Sequence, residues 1–318
     1  MLADLLTMDA LKVLVVSFGI GIVVGLTGMG GGALMTPALM LLGVPATDAV
    51  ANDLVAASIN KSVGAAVHWR HGSPNLRLAL YLMVGSVPFA FLGTFVQKWV
   101  GGDTDQFLTI ALGCALLFAA ASYAFRMYLQ LRHVTGGNEA PEDAPTLKPV
   151  RTILIGAVGG LLVGITSVGS GSVIMIALLL LYPTLSAVRL VGTDLVQAVP
   201  LVLAAAVGQI INHGVDWAVL IPLIIGGSPG TFLGSRMARW VSQSVIRRGI
   251  VIVLTMSGAK MLGASSVLLV FIAGAMLLLG PLAWGFIRQT RGLPAFDNNL
   301  AAWRLPERSD DRSDHSAR

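Results

Sequence analysis

Long runs of apolar residues recur along the chain and are separated by short polar segments. The longest runs cover residues 11–26, 78–96, 108–125, 153–165, 195–211, 217–233, 246–262 and 267–286. Several approach the roughly 20 residues that a helix needs to cross a bilayer. They are continuous rather than alternating in polarity, so they lack the pattern of a membrane β-barrel. The pattern predicts an all-α integral membrane protein with roughly seven to nine helical spans.

Composition and charge agree with a membrane protein. Hydrophobic residues make up 55% of the 318 residues and charged residues only 12%, whereas a soluble domain carries about 25% charged residues. The net charge is +5, but the basic residues lie mostly in short loops and in the C-terminal tail. This is the usual distribution around membrane spans. We therefore expect the lipid bilayer, and no nucleic acid, as a partner.

The same charge pattern predicts the orientation. Basic segments are expected on the cytoplasmic side, and they comprise residues 68–77, 126–151, 235–248 and the C-terminal tail. The loops at 97–106 and 212–216 carry fewer basic residues and are expected outside. The C-terminus is therefore predicted to be cytoplasmic.

The chain resembles itself across a polar linker. GLTGMGGGALM (25–35) matches GITSVGSGSVI (164–174), NDLVAAS (52–58) matches TDLVQAV (193–199), and PFAFLG (88–93) matches PGTFLG (229–234). The alternative is that apolar segments are alike in general, but these matches keep their order and include Gly, Asp and Pro. We predict a first membrane repeat at 1–131, a cytoplasmic linker at 132–151, a second repeat with an extra span at 152–287, and a disordered tail at 288–318.

The two repeats are predicted to be inverted relative to each other. The pieces that follow the glycines, residues 33–42 and 172–182, are too short to cross a bilayer at 1.5 Å per residue. If each Gly-rich segment forms a broken, re-entrant helix hairpin, every basic loop falls on one side. Each repeat then consists of one such hairpin and three spans.

The glycine-rich breaks are the first candidate for a substrate site. They contain Gly28, Gly30, Gly31 and Gly32 in the first half, and Gly169, Ser170 and Gly171 in the second. Irregular backbone at membrane depth is tolerated where it is packed in protein or lines a wet cavity. A short helix that begins at such a break directs its free N–H groups and a partial positive charge at it, which suits an anion. The alternative is close helix packing through small residues.

Polar side chains within predicted spans are the second candidate. In the first half they are Asn52, Asp53, Asn60 and Lys61, and in the second half Thr193, Asp194 and Gln197. Ionisable groups are costly in hydrocarbon and often functional. Asp53 and Asn60 are seven residues apart and are expected on one helix face, with Lys61 close to it. The alternative is structural, with both aspartates capping the short helices or pairing with Lys61 and Arg189.

At these residues the chain resembles the sulfite exporter TauE/SafE family of membrane transporters. The resemblance rests on GLTGMGGGALMTPALMLLGVPATDAVANDL, on GITSVGSGSVIMIALLLLYP followed by RLVGTDLVQAVPL, and on the PFAFLG and PGTFLG pair, and it covers about residues 12–262. It implies multi-pass transport of sulfur-containing anions, such as sulfite or organosulfonates, across a bacterial inner membrane. Ser170, Ser172 and Ile176 depart from the pattern of the first motif, which leaves the substrate open.

We therefore expect a secondary transporter of small anions that works by alternating access. Backbone N–H groups, Asn52, Thr193 and Gln197 are expected to contact the anion. Lys61 would compensate its charge, and Asp53 or Asp194 would carry a coupling proton. No catalytic residue, metal site or cofactor is expected, because the sequence has no HExxH, Walker or CxxC motif. A passive anion channel and an intramembrane enzyme are the alternatives, and the oligomeric state stays open.

Overall fold

The fold is that of a computed structural model, which describes residues 8–27, 31–68, 74–100, 102–135, 147–169, 171–182, 185, 187–237, 240 and 243–290. Over these residues the chain forms eleven α-helices and no strands, so the predicted all-α class is confirmed. The helices are α1 (Met8–Thr27), α2 (Gly32–Leu41), α3 (Ala46–His68), α4 (Leu76–Trp99), α5 (Thr104–Thr135), α6 (Pro149–Thr166), α7 (Val173–Leu181), α8 (Ala187–Asn212), α9 (Trp217–Met237), α10 (Gln243–Met261) and α11 (Ser266–Gln289).

Seven helical segments in the described part of the chain are long and apolar enough to cross a membrane. They are Met8–Thr27, Leu76–Trp99, Thr104–Phe125, Pro149–Thr166, Gly192–Asn212, Trp217–Met237 and Ser266–Ile287. The count lies at the lower end of the predicted range. The helix α3 is not among the seven although it has 23 residues, because side chains such as Asp53 and Lys61 lower its hydropathy. Of the polar side chains of α3, neighbouring helices fully bury Asn52, Asp53 and Ser58.

The two glycine-rich motifs are each followed by a short helix, as predicted. The helix α2 has ten residues and α7 has nine. At 1.5 Å per residue, each is about 15 Å long, roughly half the thickness of the hydrocarbon core. Each therefore begins at its glycine motif and is too short to cross a bilayer by itself.

Glycines set the closest helix pairs. The helix α1 packs chiefly against α9, and α4 packs chiefly against α6. A Cβ atom on Gly21 of α1 would lie 2.6 Å from the carbonyl oxygen of Gly227 in α9. A Cβ atom on Gly93 of α4 would lie 2.7 Å from the carbonyl oxygen of Leu161 in α6. Small residues thus let the backbones touch. In both pairs, a helix that precedes the central linker packs against a helix that follows it.

The helices α3 and α8 pack against each other inside the bundle and carry the polar residues predicted for the site. Leu54 of α3 and Leu201 of α8 are fully buried in one apolar cluster. This cluster also includes Ile174 of α7. The polar side chains of α3 and α8 are therefore held in a packed environment.

The last helix lies at the edge of the bundle. The helix α11 packs against α10, and its apolar 18-residue core has no buried residue. It corresponds to the extra C-terminal span that the sequence predicts. The predicted linker at 132–151 is partly helical at both ends, since α5 continues to Thr135 and α6 begins at Pro149.

Candidate functional site

The Asp53 carboxylate joins the two glycine-rich motifs. Its Oδ2 atom accepts a hydrogen bond of 2.6 Å from the Thr36 hydroxyl of α2 and another of 2.7 Å from the Ser167 hydroxyl, which follows α6. Asp53 is 2% exposed. Hydrogen bonds to an ionised acceptor are stronger than those between neutral groups. One carboxylate of α3 therefore holds the two breaks together.

The breaks also touch directly. A Cβ atom on Gly32 would overlap the carbonyl oxygen of Ser167, so only glycine fits at this position without a shift. Ser167 ends α6 with a φ of +61°, in the left-handed region, and Gly169 follows with a φ of +130°. Left-handed backbone is common for glycine and uncommon for serine, and the Ser167 side chain is anchored on Asp53. Gly32 and Gly169 thus show why each motif needs glycine.

A second polar network lies on α8. The Oδ1 atom of Asp194 accepts a hydrogen bond of 2.9 Å from the Gln197 amide. The Oε1 atom of Gln197 accepts a bond of 3.1 Å from the Ser86 hydroxyl of α4. All three side chains are buried. Asp194 is therefore tied through Gln197 to α4.

Lys61 of α3 is the cation associated with both aspartates. It interacts electrostatically with Asp53 and with Asp194. A cation inside a membrane protein is stable where carboxylates or other polar groups surround it. Lys61 therefore connects Asp53 on α3 electrostatically with Asp194 in the polar network of α8.

The other predicted site residues have different neighbours. The Thr193 hydroxyl donates to the carbonyl oxygen of Arg189 and accepts from the Asn75 N–H before α4. The Asn60 side-chain oxygen accepts a bond of 2.6 Å from Ser228 of α9. These contacts place Thr193 and Asn60 at helix junctions.

Asn52 retains a free acceptor in the interior. Its amide donates to the Asp48 carbonyl oxygen, whereas its Oδ1 atom is buried without a hydrogen-bond partner. An unpaired buried polar atom is costly. Asn52 is therefore positioned to accept from a water or a donor that enters the bundle.

The remaining glycine-motif residues are only partly described. Gly31 is the N-cap of α2, and no side chain caps that helix. The carbonyl oxygen of Gly171 accepts a bond of 3.4 Å from the Tyr123 hydroxyl. Gly28, Gly30 and Ser170 lie outside the described residues.

Four side chains between α4 and α8 were not singled out from the sequence. Asn212 donates to the Thr94 hydroxyl, and the Gln209 amide donates to the carbonyl oxygen of Gly164. Both amide atoms of Gln97, the Oε1 of Gln209 and the Oδ1 of Asn212 are buried without partners. Buried polar groups are nearly always paired, so this interface has room for additional hydrogen bonds. The signal in the sequence is the presence of amides inside otherwise apolar runs.

His213 follows α8 in a loop between spans. Burial lowers the pKa of its imidazole below 6.5, and the positive charge of Lys98 lowers it further, while Asp48 and Asp105 act in the opposite direction. Asp105 also accepts bonds from the backbone N–H and the hydroxyl of Thr47, joining the start of α5 to the start of α3. A loop histidine and several charges thus meet at one end of the bundle.

Known proteins match most of the chain. Residues 13–261 match the model of the family described as sulfite exporter TauE/SafE. The probable membrane transporter protein YjnA of Bacillus subtilis strain 168 is 34% identical over 256 residues, which are 80% of this chain and 100% of that protein. The probable membrane transporter protein YdhB of the same strain is 26% identical over 255 residues, covering 79% and 99%.

A third relative comes from a different organism. A probable membrane transporter protein of Xylella fastidiosa strain 9a5c is 29% identical over 247 residues, which are 75% of this chain and 89% of that protein. No solved structure gives a significant match. The family match includes every candidate site residue and ends before α11 begins.

Proposed function

Because the chain belongs to the sulfite exporter TauE/SafE family of multi-pass membrane transporters, we propose that it exports a small sulfur-containing anion, such as sulfite or an organosulfonate, across the bacterial inner membrane by alternating access. The family is one of transporters and not of enzymes.

The observation that carries the proposal is the convergence of both glycine motifs on Asp53. Thr36 and Ser167 belong to different motifs and donate to the same carboxylate oxygen. Interrupted helices that meet inside a membrane protein commonly form the substrate site of a transporter. The substrate is proposed to bind beside this junction, where the first turns of α2 and α7 begin without a side-chain cap.

Charge supports an anionic substrate. Two helix N-termini each contribute a partial positive charge, and Lys61 adds a full one near both aspartates. An anion that binds there is attracted by all three, and a proton on Asp53 or Asp194 would remove the repulsion from that carboxylate. Neutral donors and acceptors such as Asn52 and Gln197 would orient it.

The arrangement of helices is consistent with two inverted repeats. The sequence repeat relates α1 to α6, α3 to α8 and α4 to α9. Under this relation the close pair of α1 with α9 corresponds to the close pair of α4 with α6. Two related halves around one site allow the site to open alternately to each side.

The membrane potential supports export as the direction of transport. An inside-negative potential drives an anion outward with about 2.3 kcal/mol per charge per 100 mV. The charge pattern supports placing the basic loops and the C-terminus in the cytoplasm. A proton carried on Asp53 or Asp194 is proposed to adjust the charge of the site during the cycle.

Anion flux into proteoliposomes tests the site. Sulfite, sulfate, thiosulfate and methanesulfonate would be compared, with and without a pH gradient, for the wild type and for Asp53→Asn, Asp194→Asn and Lys61→Ala. We expect saturable flux of a sulfur-containing anion, and a loss of at least about tenfold in each variant, which corresponds to about 1.4 kcal/mol.

A matched control and two contrary outcomes complete the experiment. Asp9→Asn changes an exposed carboxylate that pairs with Lys12 and is expected to leave flux unchanged. If flux persists in all three interior variants, the polar residues are structural and the site lies elsewhere. If flux does not saturate and ignores the pH gradient, the protein is a passive channel.

A further inference from the structure

A cavity lies between α5, α10 and the peripheral helix α11. It has a volume of about 420 Å³ and is lined almost entirely by apolar side chains, including Met127, Val251 and Leu277. Gly249 and Gly280 also line it, and a Cβ atom on either would meet no other atom within 4 Å. The cavity is separate from the Asp53 junction and lies partly on a helix outside the family match.

One end of this cavity carries a cation. Arg248 of α10 lines it, and its guanidinium carbon lies 5.9 Å from the centre of the Trp284 ring of α11. The stacking is within the range of a cation–π contact. The Nε atom of Arg248 is buried and has no hydrogen-bond partner. A buried guanidinium N–H without a partner favours an acceptor such as a phosphate oxygen.

The cavity runs from this cation toward the middle of the membrane. Arg248 is five residues from the start of α10, and Trp284 is five residues from the end of α11. Arginine and tryptophan near helix ends lie at the depth of lipid headgroups. Met276 lines the cavity eight residues further along α11, about 12 Å deeper at 1.5 Å per residue.

This shape matches a phospholipid. A polar, positively charged end lies at headgroup depth, and an apolar slot continues into the hydrocarbon beside a helix that is exposed along its length. Basic pockets between transmembrane helices bind anionic headgroups. We propose that this cavity binds an anionic phospholipid, with its phosphate on Arg248 and an acyl chain between α5, α10 and α11.

Thermal denaturation of the purified, delipidated full-length protein tests the site. Phosphatidylglycerol would be titrated in detergent, with phosphatidylcholine as the neutral lipid and inorganic phosphate as the headgroup alone. Only phosphatidylglycerol is expected to raise the Tm at low concentration. Arg248→Gln is expected to weaken its apparent affinity about tenfold, equivalent to about 1.4 kcal/mol.

Two further variants isolate the parts of the site. Arg236→Gln is the matched control, because Arg236 also stacks on an aromatic ring, Phe232, at 4.7 Å but lies away from the cavity. It is expected to keep the full lipid response. Gly280→Leu fills the apolar slot while Arg248 stays in place, and it is expected to weaken phosphatidylglycerol binding as well.

Several results would overturn the proposal. An equal Tm shift with phosphatidylcholine would show that the negative charge of the lipid is not recognised. An equal Tm shift with inorganic phosphate would show that the acyl chain is not recognised. An unchanged lipid response in Arg248→Gln, or an equal loss of that response in Arg236→Gln, would show that Arg248 does not bind the lipid specifically. A Gly280→Leu variant that changes the oligomeric state and keeps its lipid response would identify the cavity as a contact between copies of the chain.

Discussion

Replacing Thr36 by valine removes one of the two hydroxyls on Asp53 and keeps the shape of the side chain. A hydrogen bond between neutral groups of transmembrane helices contributes about 0.6 kcal/mol, whereas a bond to an ionised group contributes about 1.5–3 kcal/mol. The Asp53 carboxylate is 2% exposed, and the bond is 2.6 Å long. The short length favours the higher range, so Thr36→Val is expected to lower the free energy of unfolding by about 1.5–3 kcal/mol.

The corresponding fall in Tm is about 2–5 °C, because an unfolding entropy of about 2.1 cal/mol/K per residue gives about 1.5 °C per kcal/mol for 318 residues. It can be followed by tryptophan fluorescence of the protein in detergent. Thr255→Val is the matched control, because that hydroxyl donates only to the Val251 carbonyl of its own helix, and it is expected to change the Tm little.

A double-mutant cycle tests the cause. If Thr36 acts through Asp53, Thr36→Val costs less in an Asp53→Asn background, with a coupling energy of about 0.5–3 kcal/mol. Additive effects of the two substitutions would show that Thr36 does not act through Asp53. The same would follow if Thr255→Val lowered the Tm as much as Thr36→Val does.

Three further predictions concern packing, the unpaired amides and pH. Gly21→Ala is expected to lower the Tm by the equivalent of about 1–3 kcal/mol, because its Cβ would lie 2.6 Å from the Gly227 carbonyl oxygen. In the control Gly19→Ala the new Cβ meets no atom within 4 Å, and the Tm is expected to stay unchanged. Equal effects of the two substitutions on the Tm would contradict this. Gln97→Leu is expected to keep or raise the Tm, since its buried amide has no hydrogen-bond partner; a clear fall in the Tm would contradict this. Burial lowers the pKa of the His213 imidazole below 6.5. The unfolded chain therefore binds this proton more readily than the folded protein, and the stability falls as the pH drops through 6.5. The Tm measured from pH 8 to pH 5 should fall less in His213→Asn than in the wild type, and parallel curves would refute this assignment.

The membrane architecture is largely predictable because the length of an apolar run can be read directly along the sequence, without knowledge of tertiary contacts. The apolar runs predict the spans, and the glycines mark the starts of α2 and α7. The short helix lengths follow from the same pattern. The family assignment also follows from these motifs, and the match over residues 13–261 confirms it.

The contacts within the site depend on how helices from distant parts of the chain meet. Asp53 stands out as an acid in a predicted span, but its bond to Ser167 joins residues 114 positions apart. Asp53 and Asn60 are two turns apart, about 10 Å along α3, and so they meet different neighbours, with Asn60 bonded to Ser228. Gln97 carries no charge, so only its burial without a partner distinguishes it.

Counterflow of sulfite tests the central claim most directly. Proteoliposomes loaded with unlabelled sulfite would be diluted into a trace of labelled sulfite, and the label inside would be followed with time. Exchange at one alternately exposed site predicts a transient accumulation of label above its equilibrium level. This accumulation is expected to be absent in Gly32→Val, in which a side chain would overlap Ser167, and present in Gly19→Val. Label that only rises to equilibrium in the wild type, or that accumulates equally in Gly32→Val, would contradict transport at the junction of the two glycine motifs.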